Sequence, residues 1–237
     1  MALILSIETG TDVCSVALAN DGELMALRES DEGRDHAKKV ALFVDELLRE
    51  TGVQPADLDA IAVGKGPGSY TGLRIGVSFA KGMCYALNIP LIAVGSLDAL
   101  TEVAREDYDA GILDIEDNEW ENAYLCPMVD ARRMEVYTAV FENGVQTTQT
   151  APAIIDENSF ADLLEQGPCL FIGDGAGKCA DVIKHPNARF CQCWPKASAM
   201  LAPAMKAYKE KRFEDVAYFE PFYLKEFVAT VSKKKLF

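Results

Sequence analysis

The part of the sequence best suited to bind a ligand is a glycine-rich stretch that runs from Gly64 to Gly76. Glycine permits positive φ and close approach to the backbone, and the first turn of a helix offers free N–H groups to an anion. A P-loop is excluded because Lys65 precedes Gly66 instead of following the last glycine, and a dinucleotide fingerprint would need glycine or alanine where Thr71 stands. A tight turn that serves only helix packing explains the glycines equally well.

The elements around this stretch would place it where a strand turns into a helix. An apolar segment comes before it, and apolar residues at helical spacing follow it as far as Leu87. Ser96 is a suitable N-cap for a later helix that begins at Leu97. The first part of the chain is predicted to form strands at 2–8, 13–20, 23–29, 59–63 and 90–94 and helices at 35–50 and 71–87.

Two of these helices have apolar faces wider than burial against one sheet requires. On the first, Leu42 points away from the sheet and Phe43 lies on the flank; on the second, the apolar surface extends round a second side. Small residues four apart would let another helix approach closely, within the subunit or across an interface. The predicted partner surface therefore comprises Leu42, Phe43, Gly72, Ile75, Gly76 and Phe79.

The remaining sequence predicts a second lobe. The acidic segment 102–121 resembles an exposed connection, which places the first lobe at 1–104 and the second at 105–196, with residues 197–237 returning to the first lobe through a helix at about 197–211. Within the second lobe we expect strands at 124–130, 135–142 and 169–172, and helices at 157–165 and from the turn at 173–177 to residue 184.

Composition restricts the classes of function. With 237 residues and 49% hydrophobic content the chain can bury a core, but its formal charge of -14 repels a phosphate backbone, so the chain alone should bind nucleic acid poorly and any contact with RNA should need the positive surface of another subunit. The seven cysteines show no disulfide framework, which indicates a reducing compartment. We find no signal peptide and no apolar run of membrane-spanning length, and we expect a cytoplasmic protein without membrane contact.

Several segments together resemble the TsaB family, formerly called YeaZ, over nearly the whole chain. The matching segments are Ile4–Thr9, Cys14–Leu18, Gly66–Gly76, Val129–Arg132, Glu135–Tyr137 and Pro221–Lys225. The resemblance implies a two-lobed α/β fold of the actin, Hsp70 and sugar-kinase (ASKHA) type, each lobe a mixed sheet flanked by helices. It also implies a role in making threonylcarbamoyladenosine (t6A) beside the anticodon of tRNA, together with the catalytic relative TsaD and the ATPase TsaE.

The resemblance further implies that this chain lacks the metal site of TsaD. TsaD-like relatives carry a His-His-Leu-Glu-x-His segment after the corresponding strand, whereas here Ser96 and Leu100 occupy the two ligand positions. Leucine cannot bind a metal, and a lone serine hydroxyl binds one poorly. The two histidines, His36 and His185, each stand alone in the sequence. We therefore expect no metal site and no catalytic residue in this chain.

The nucleotide-binding residues implied by the fold are also incomplete. Active members carry an Asp in the first hairpin, where this chain has Glu8, one methylene longer, and errors of about one ångström matter in phosphoryl transfer. The turn Gly173-Asp174-Gly175 resembles part of an adenosine site but carries an acid, and Asp130 with Arg132 suits either a functional pair or a surface ion pair. The candidate vestigial phosphate site comprises Glu8, Thr9, Gly10, Thr11, Gly66, Gly68, Ser69 and Thr71.

The leading hypothesis is therefore a non-catalytic scaffold subunit that pairs with TsaD through its helix surface and works with TsaE. The same surface would allow a homodimer when TsaD is absent. We expect no tightly bound cofactor, with ATP or ADP and Mg²⁺ bound only in the complex. An autonomous ATPase or kinase of this fold is the alternative; a peptidase is less favoured because no His pair and no evident base beside a Cys or Ser is present.

Overall fold

The computed structural model describes residues 1–32 and 35–225 and contains two β-sheets with helices packed on them. In the first sheet the order is β3-β2-β1-β4-β5, with β1, β2 and β3 antiparallel and β1, β4 and β5 parallel. Its strands are β1 Leu3–Glu8, β2 Cys14–Asn20, β3 Glu23–Ser30, β4 Ala60–Gly66 and β5 Leu91–Gly95. The predicted strands of this lobe are thus all present.

Helices cover both faces of the first sheet. On one face, α1 (His36–Thr51) and α2 (Tyr70–Leu87) bury apolar side chains against the strands. On the other face lie α3 (Ser96–Asp109) and α7 (Leu201–Lys209), which follows a 3₁₀ turn at Ser198–Met200. Burial of two apolar helix faces on one sheet is the main source of stability in such a layered fold.

The second sheet follows the order β10-β7-β6-β11-β12, and the short hairpin β8–β9 pairs with β6. Its strands are β6 Tyr124–Asp130, β7 Glu135–Thr138, β8 Phe141–Glu142, β9 Val145–Gln146, β10 Ala151–Ile154, β11 Cys169–Ile172 and β12 Ala188–Cys191. Three short helices accompany it: α4 Asp117–Glu121, α5 Ala161–Leu164 and α6 Ala176–Cys179. The predicted strand 135–142 is therefore divided in two. The predicted helix 157–165 and the helix predicted from the turn at 173–177 to residue 184 are each reduced to four residues.

Only residues 110–121, none of which is buried, match the exposed connection that composition suggests for the acidic segment 102–121. Helix α3 continues through it to Asp109, because Val103 and Ala104 are buried on the same side as Leu97 and Leu100 while the acids face outward. These four side chains pack against the second sheet, so α3 lies between the two sheets. Ser96 is the first residue of this helix and not its cap, a position taken by Gly95. The lobe boundaries themselves stay a prediction.

Taken together, the two mixed sheets and their flanking helices form an α/β fold of the predicted class. No helix within residues 1–32 and 35–225 is long and apolar enough to cross a bilayer.

Candidate functional site

The turn between β1 and β2 packs directly on the glycine-rich loop that joins β4 to α2. The backbone N–H of Ser69 donates a hydrogen bond to the Gly10 carbonyl at 2.6 Å. A Cβ on Gly68 would lie 2.3 Å from the same oxygen, so the two backbones meet at a distance that only glycine allows. The two segments that would hold a phosphate between them thus contact each other.

Thr9 fills the space beside the two small residues of α2. Its hydroxyl donates to the Gly72 carbonyl at 2.8 Å. A Cβ on Gly72 would lie 2.0 Å from the Thr9 carbonyl oxygen, and one on Gly76 would lie 2.3 Å from Thr9 Oγ1. Gly72 and Gly76 are buried, and they accommodate a turn of the same chain. The expectation that they admit another helix is wrong, because Thr9 already occupies that space.

Glu8 is enclosed behind this contact. Its side chain is fully buried; Oε1 accepts a hydrogen bond from the Gly10 N–H at 2.6 Å, and Oε2 accepts one from the Ser96 hydroxyl at 3.3 Å. A Cβ on Gly64 would lie 2.1 Å from Oε2, so glycine is needed there as well. Burial raises the pKa of Glu8 to about 7, against the opposing effect of these hydrogen bonds. The carboxyl group links the turn to the start of α3.

Of the other residues predicted to contact a phosphate, some are buried and some are exposed to solvent. Thr11 is buried, and its hydroxyl accepts from the Val13 N–H at 3.4 Å. Ser69 is exposed but caps α2, since its Oγ accepts from the Gly72 N–H at 3.3 Å, and Thr71 is exposed on the first turn. Gly66 has a positive φ of 97°, which favours glycine with or without a ligand. The site residues are therefore brought together, but largely by contacts among themselves.

The residues that stand where TsaD-like relatives carry metal ligands, and the two histidines, make structural contacts in this chain. Ser96 bonds to Glu8, and Leu100 is buried in the core between α3 and the second sheet. His36 is buried with Nε2 2.9 Å from the Thr11 carbonyl, and His185 Nδ1 accepts from the Asn187 N–H at 3.2 Å. Across the described residues, no group of three or more His, Cys, Asp or Glu could hold a metal ion.

In the second lobe, the turn after β11 packs on β6. Asp174 Oδ1 accepts from the Asp130 N–H at 3.0 Å. Burial and then the negative charges of Asp130 and Asp12 raise the pKa of Asp174 to about 6. Asp130 forms its ion pair with Lys178 at 3.1 Å, while Arg132 donates only its backbone N–H. The suggested pairing of the Asp130 and Arg132 side chains is thus replaced by one with Lys178.

The other predicted surface residues lie on α1 and α2, which pack against each other over the first sheet. Leu42 is 48% exposed, although it is a large apolar side chain in the middle of a helix. Phe43, Ile75 and Phe79 are half-buried at the rim of the core. We call these four residues the α1–α2 face. They form an accessible apolar surface on a chain that is otherwise strongly charged.

A C-terminal strap, residues 213–225, lies within the segment 197–237 that is predicted to return to the first lobe, but its contact with the glycine-rich loop is not predicted from the sequence. It crosses the glycine-rich loop, where the Phe222 N–H donates to the Lys65 carbonyl at 2.7 Å, and it lies along α2, where Lys81 Nζ donates to the Phe219 carbonyl at 2.8 Å. Its last described residue, Lys225, forms an ion pair with Glu135 of the second lobe. Besides that predicted return to the first lobe, the sequence signal for the strap is the Pro221–Lys225 segment of the family resemblance.

Comparisons with known proteins agree with this architecture. Residues 30–233 match the family model described as "TsaD: tRNA N6-adenosine threonylcarbamoyltransferase". The chain is 30% identical to the tRNA threonylcarbamoyladenosine biosynthesis protein TsaB of Escherichia coli, over 95% of this chain and 96% of that protein. It superposes on the solved structure of YeaZ from Pseudomonas aeruginosa with a TM-score of 0.77 and 28% identity, covering 94% of this chain and 100% of that one.

A shorter similarity links the chain to an enzyme. A tRNA N6-adenosine threonylcarbamoyltransferase of Nitratidesulfovibrio vulgaris is 37% identical over 112 residues, which are 41% of this chain and 31% of the enzyme. The structure defines an α/β protein of two mixed sheets flanked by helices, with a closed glycine-rich loop. Within that class, the chain belongs to the TsaB (YeaZ) family.

Proposed function

We propose that this chain is a non-catalytic subunit in the synthesis of t6A in tRNA. It would support the transfer of the threonylcarbamoyl group from threonylcarbamoyl-adenylate to N6 of the adenosine beside the anticodon. The names of its curated relatives support the pathway. The supporting role, as opposed to catalysis, is argued from the geometry of the site.

The observation that carries the proposal is the closed contact between the β1–β2 turn and the glycine-rich loop. A phosphoryl-transfer site needs an open cradle of backbone N–H groups and a carboxylate free to bind a metal ion. Here the Ser69 N–H donates to Gly10, the first turn of α2 is capped internally, and Glu8 is enclosed by Gly10, Gly64 and Ser96. Each of these groups already has a protein partner, which favours a structural use of the motif.

The α1–α2 face provides the means of pairing. The transferase relative shares 37% identity with part of this chain, so the two proteins would present similar helices to each other in a pseudo-symmetric contact. The catalytic partner in this proposal is TsaD, with the ATPase TsaE joining the pair. The negative charge of -14 favours tRNA contact through those partners, and ATP or ADP with Mg²⁺ would bind only in the assembled complex.

The first experiment is reconstitution of tRNA modification with purified partners, with and without this chain. Full activity from the partners alone would refute a required supporting role. Turnover of ATP, or transfer of the group, by this chain alone would refute the non-catalytic assignment and favour an autonomous enzyme.

A matched pair of variants tests the surface. Leu42→Glu places a charge on the α1–α2 face, whereas Leu24→Glu places the same charge at a leucine of equal exposure, 48%, on β3. Because an interface core tolerates a buried charge poorly, we expect Leu42→Glu to weaken binding to TsaD by about tenfold or more and to lower modification in parallel. Equal affinities of the two variants, measured by calorimetry with matching melting temperatures, would exclude this face.

A further inference from the structure

A polar groove lies outside the carboxyl ends of the parallel strands β4 and β5 and borders the glycine-rich loop at Gly66 and Pro67. It consists of two cavities of about 330 and 500 Å³ that share Lys65, Gly95 and Asp98. None of the residues from Glu8 to Thr11 lines either cavity. In α/β folds, the crevice beyond the carboxyl ends of parallel strands is a common position for ligands.

The first cavity collects positive charge in an acidic protein. Lys65 at the end of β4, Lys206 on α7 and Arg212 just after α7 all line it. Two acids, Asp98 and Glu102, line it as well, but Glu102 is already paired with Arg105 at 3.0 Å. Arg212 is likewise paired with Glu210 at 2.6 Å, so among the described residues of this cavity two cations, Lys65 and Lys206, and one acid, Asp98, form no ion pair.

The ammonium groups of Lys65 and Lys206 have no hydrogen bond or ion pair anywhere in residues 1–32 and 35–225. Lys65 is nevertheless half-buried, and its Cε would lie 3.8 Å from a Cβ on Gly95. Its charge interacts with that of Asp98, whose carboxylate folds back over Gly95, 2.2 Å from the same Cβ position. A half-buried cation that forms no ion pair is costly unless a ligand offsets its desolvation.

The second cavity offers a different lining. It is bounded by apolar and aromatic side chains of Leu97, Tyr218, Phe219 and Phe222, and by polar groups of Gln146 and Thr150 from the second lobe. Two acids, Glu214 and Glu220, also line it, so the anionic end of a ligand is favoured only in the first cavity. Its volume of about 500 Å³ has room for a ring system. A ligand that spans the groove would thus place an anionic end in the first cavity and an apolar body in the second.

From this arrangement we propose that the groove binds a small phosphate monoester with an apolar or aromatic body. The phosphate lies between Lys65, Lys206 and Arg212, and the body lies against Tyr218 and Phe222. Lysine and arginine side chains that converge in a partly enclosed space form a phosphate site because each contributes a charge-assisted hydrogen bond. Asp98 limits the affinity because its carboxylate repels the phosphate.

Calorimetric titration at low ionic strength with inorganic phosphate, phenyl phosphate and phenol tests the proposal. We expect phenyl phosphate to bind more tightly than inorganic phosphate, with a Kd of about 1 mM or below, and phenol to show no binding. Lys65→Ala should weaken phenyl phosphate binding about tenfold, and Asp98→Asn should strengthen it. Lys209→Ala, which removes an equal charge from α7 outside the groove, should leave affinity unchanged.

The two variants should change phenyl phosphate affinity in opposite directions: Lys65→Ala should lower it and Asp98→Asn should raise it. This difference distinguishes a ligand site from a charge pair that only stabilises the fold. A pair that only stabilises the fold would lower the melting temperature in both variants and give no binding in either. If Lys65→Ala does not fold, Lys206→Ala at an exposed position on α7 takes its place, with the same expected loss. No binding of phenyl phosphate to the unaltered protein, or equal affinity in the Lys206 and Lys209 variants, overturns the proposal.

Discussion

Replacing Glu8 with glutamine should change how the stability of this protein depends on pH. Burial raises the pKa of Glu8 from 4.5 to about 7, so the folded state binds this proton more tightly than the unfolded state. The contribution of the protonated carboxyl group to stability is complete below pH 4.5 and is lost as the pH rises to about 7. Glutamine remains neutral throughout, and its amide can accept from Gly10 and donate to Ser96.

The size of the effect follows from the shift. A difference of about 2.5 between the two pKa values corresponds to about 3 kcal/mol at about 1.4 kcal/mol per unit. The free energy of unfolding of Glu8→Gln, relative to that of the unaltered protein, should therefore increase by up to about 3 kcal/mol between pH 5 and 8, which makes the variant relatively more stable at high pH. Urea denaturation at several pH values measures this difference.

Glu23→Gln on the exposed part of β3 is the matched control, because it removes one negative charge without altering a buried carboxyl group. Its unfolding free energy should follow that of the unaltered protein at every pH. If Glu8→Gln also runs parallel to the unaltered protein from pH 5 to 8, the carboxyl group is not enclosed as described, and the argument for a closed site fails with it.

Two further predictions concern the contact between the turn and α2. Gly76→Ala should destabilise the protein by about 1–3 kcal/mol because its Cβ would meet Thr9 Oγ1, whereas Gly82→Ala on the same helix, with nothing within 4 Å, should stabilise it by up to about 1 kcal/mol in thermal unfolding. Equal effects would contradict the contact. Ser69→Ala should cost about 1 kcal/mol through loss of the cap on the Gly72 N–H, and a change within about 0.2 kcal/mol would show that solvent replaces it.

Much of the first lobe could be predicted because its strands are continuous apolar runs bounded by strong turn signals. The segment Asn20-Asp21-Gly22 ends β2 as expected, and Asp21 and Gly22 both have positive φ in the structure. The stretch Glu102–Asp109 was misinterpreted because its acids conceal a sparse helical pattern. Only Val103 and Ala104 reach the core there, one turn after Leu100, and burial of those two side chains keeps the segment helical.

The second lobe was less predictable because several of its strands are short and some, such as β10, lie at the edge of the sheet. Strand β10 contains Pro152, which argues against a central strand in a sequence but is tolerated at the edge that β10 occupies. Strand β9 has two residues, too few for any alternation to be detected. Such elements depend on tertiary pairing, and local sequence does not specify them.

The sequence predicted that the site residues lie close together, but not that their hydrogen bonds to one another close the site. Spacing placed the loop at a strand–helix junction, and glycine there is consistent with either a ligand or close packing. The choice depends on which backbone lies opposite, and that partner, the turn at Thr9 and Gly10, is more than 50 residues distant in sequence. A sequence motif indicates that a position requires glycine. Only the three-dimensional structure shows which atoms exclude a Cβ there.

This contact also explains why nucleotide binding is proposed for the complex and not for the isolated chain. A phosphate in the loop would have to separate Ser69 from Gly10 and Thr9 from Gly72, two hydrogen bonds with a net value of about 1 kcal/mol each. Helix α2 carries Gly72 on its inner side and Phe79 on its accessible side. A partner that docks on Phe79 acts on the helix that closes the turn, so its binding energy can offset the cost of opening it.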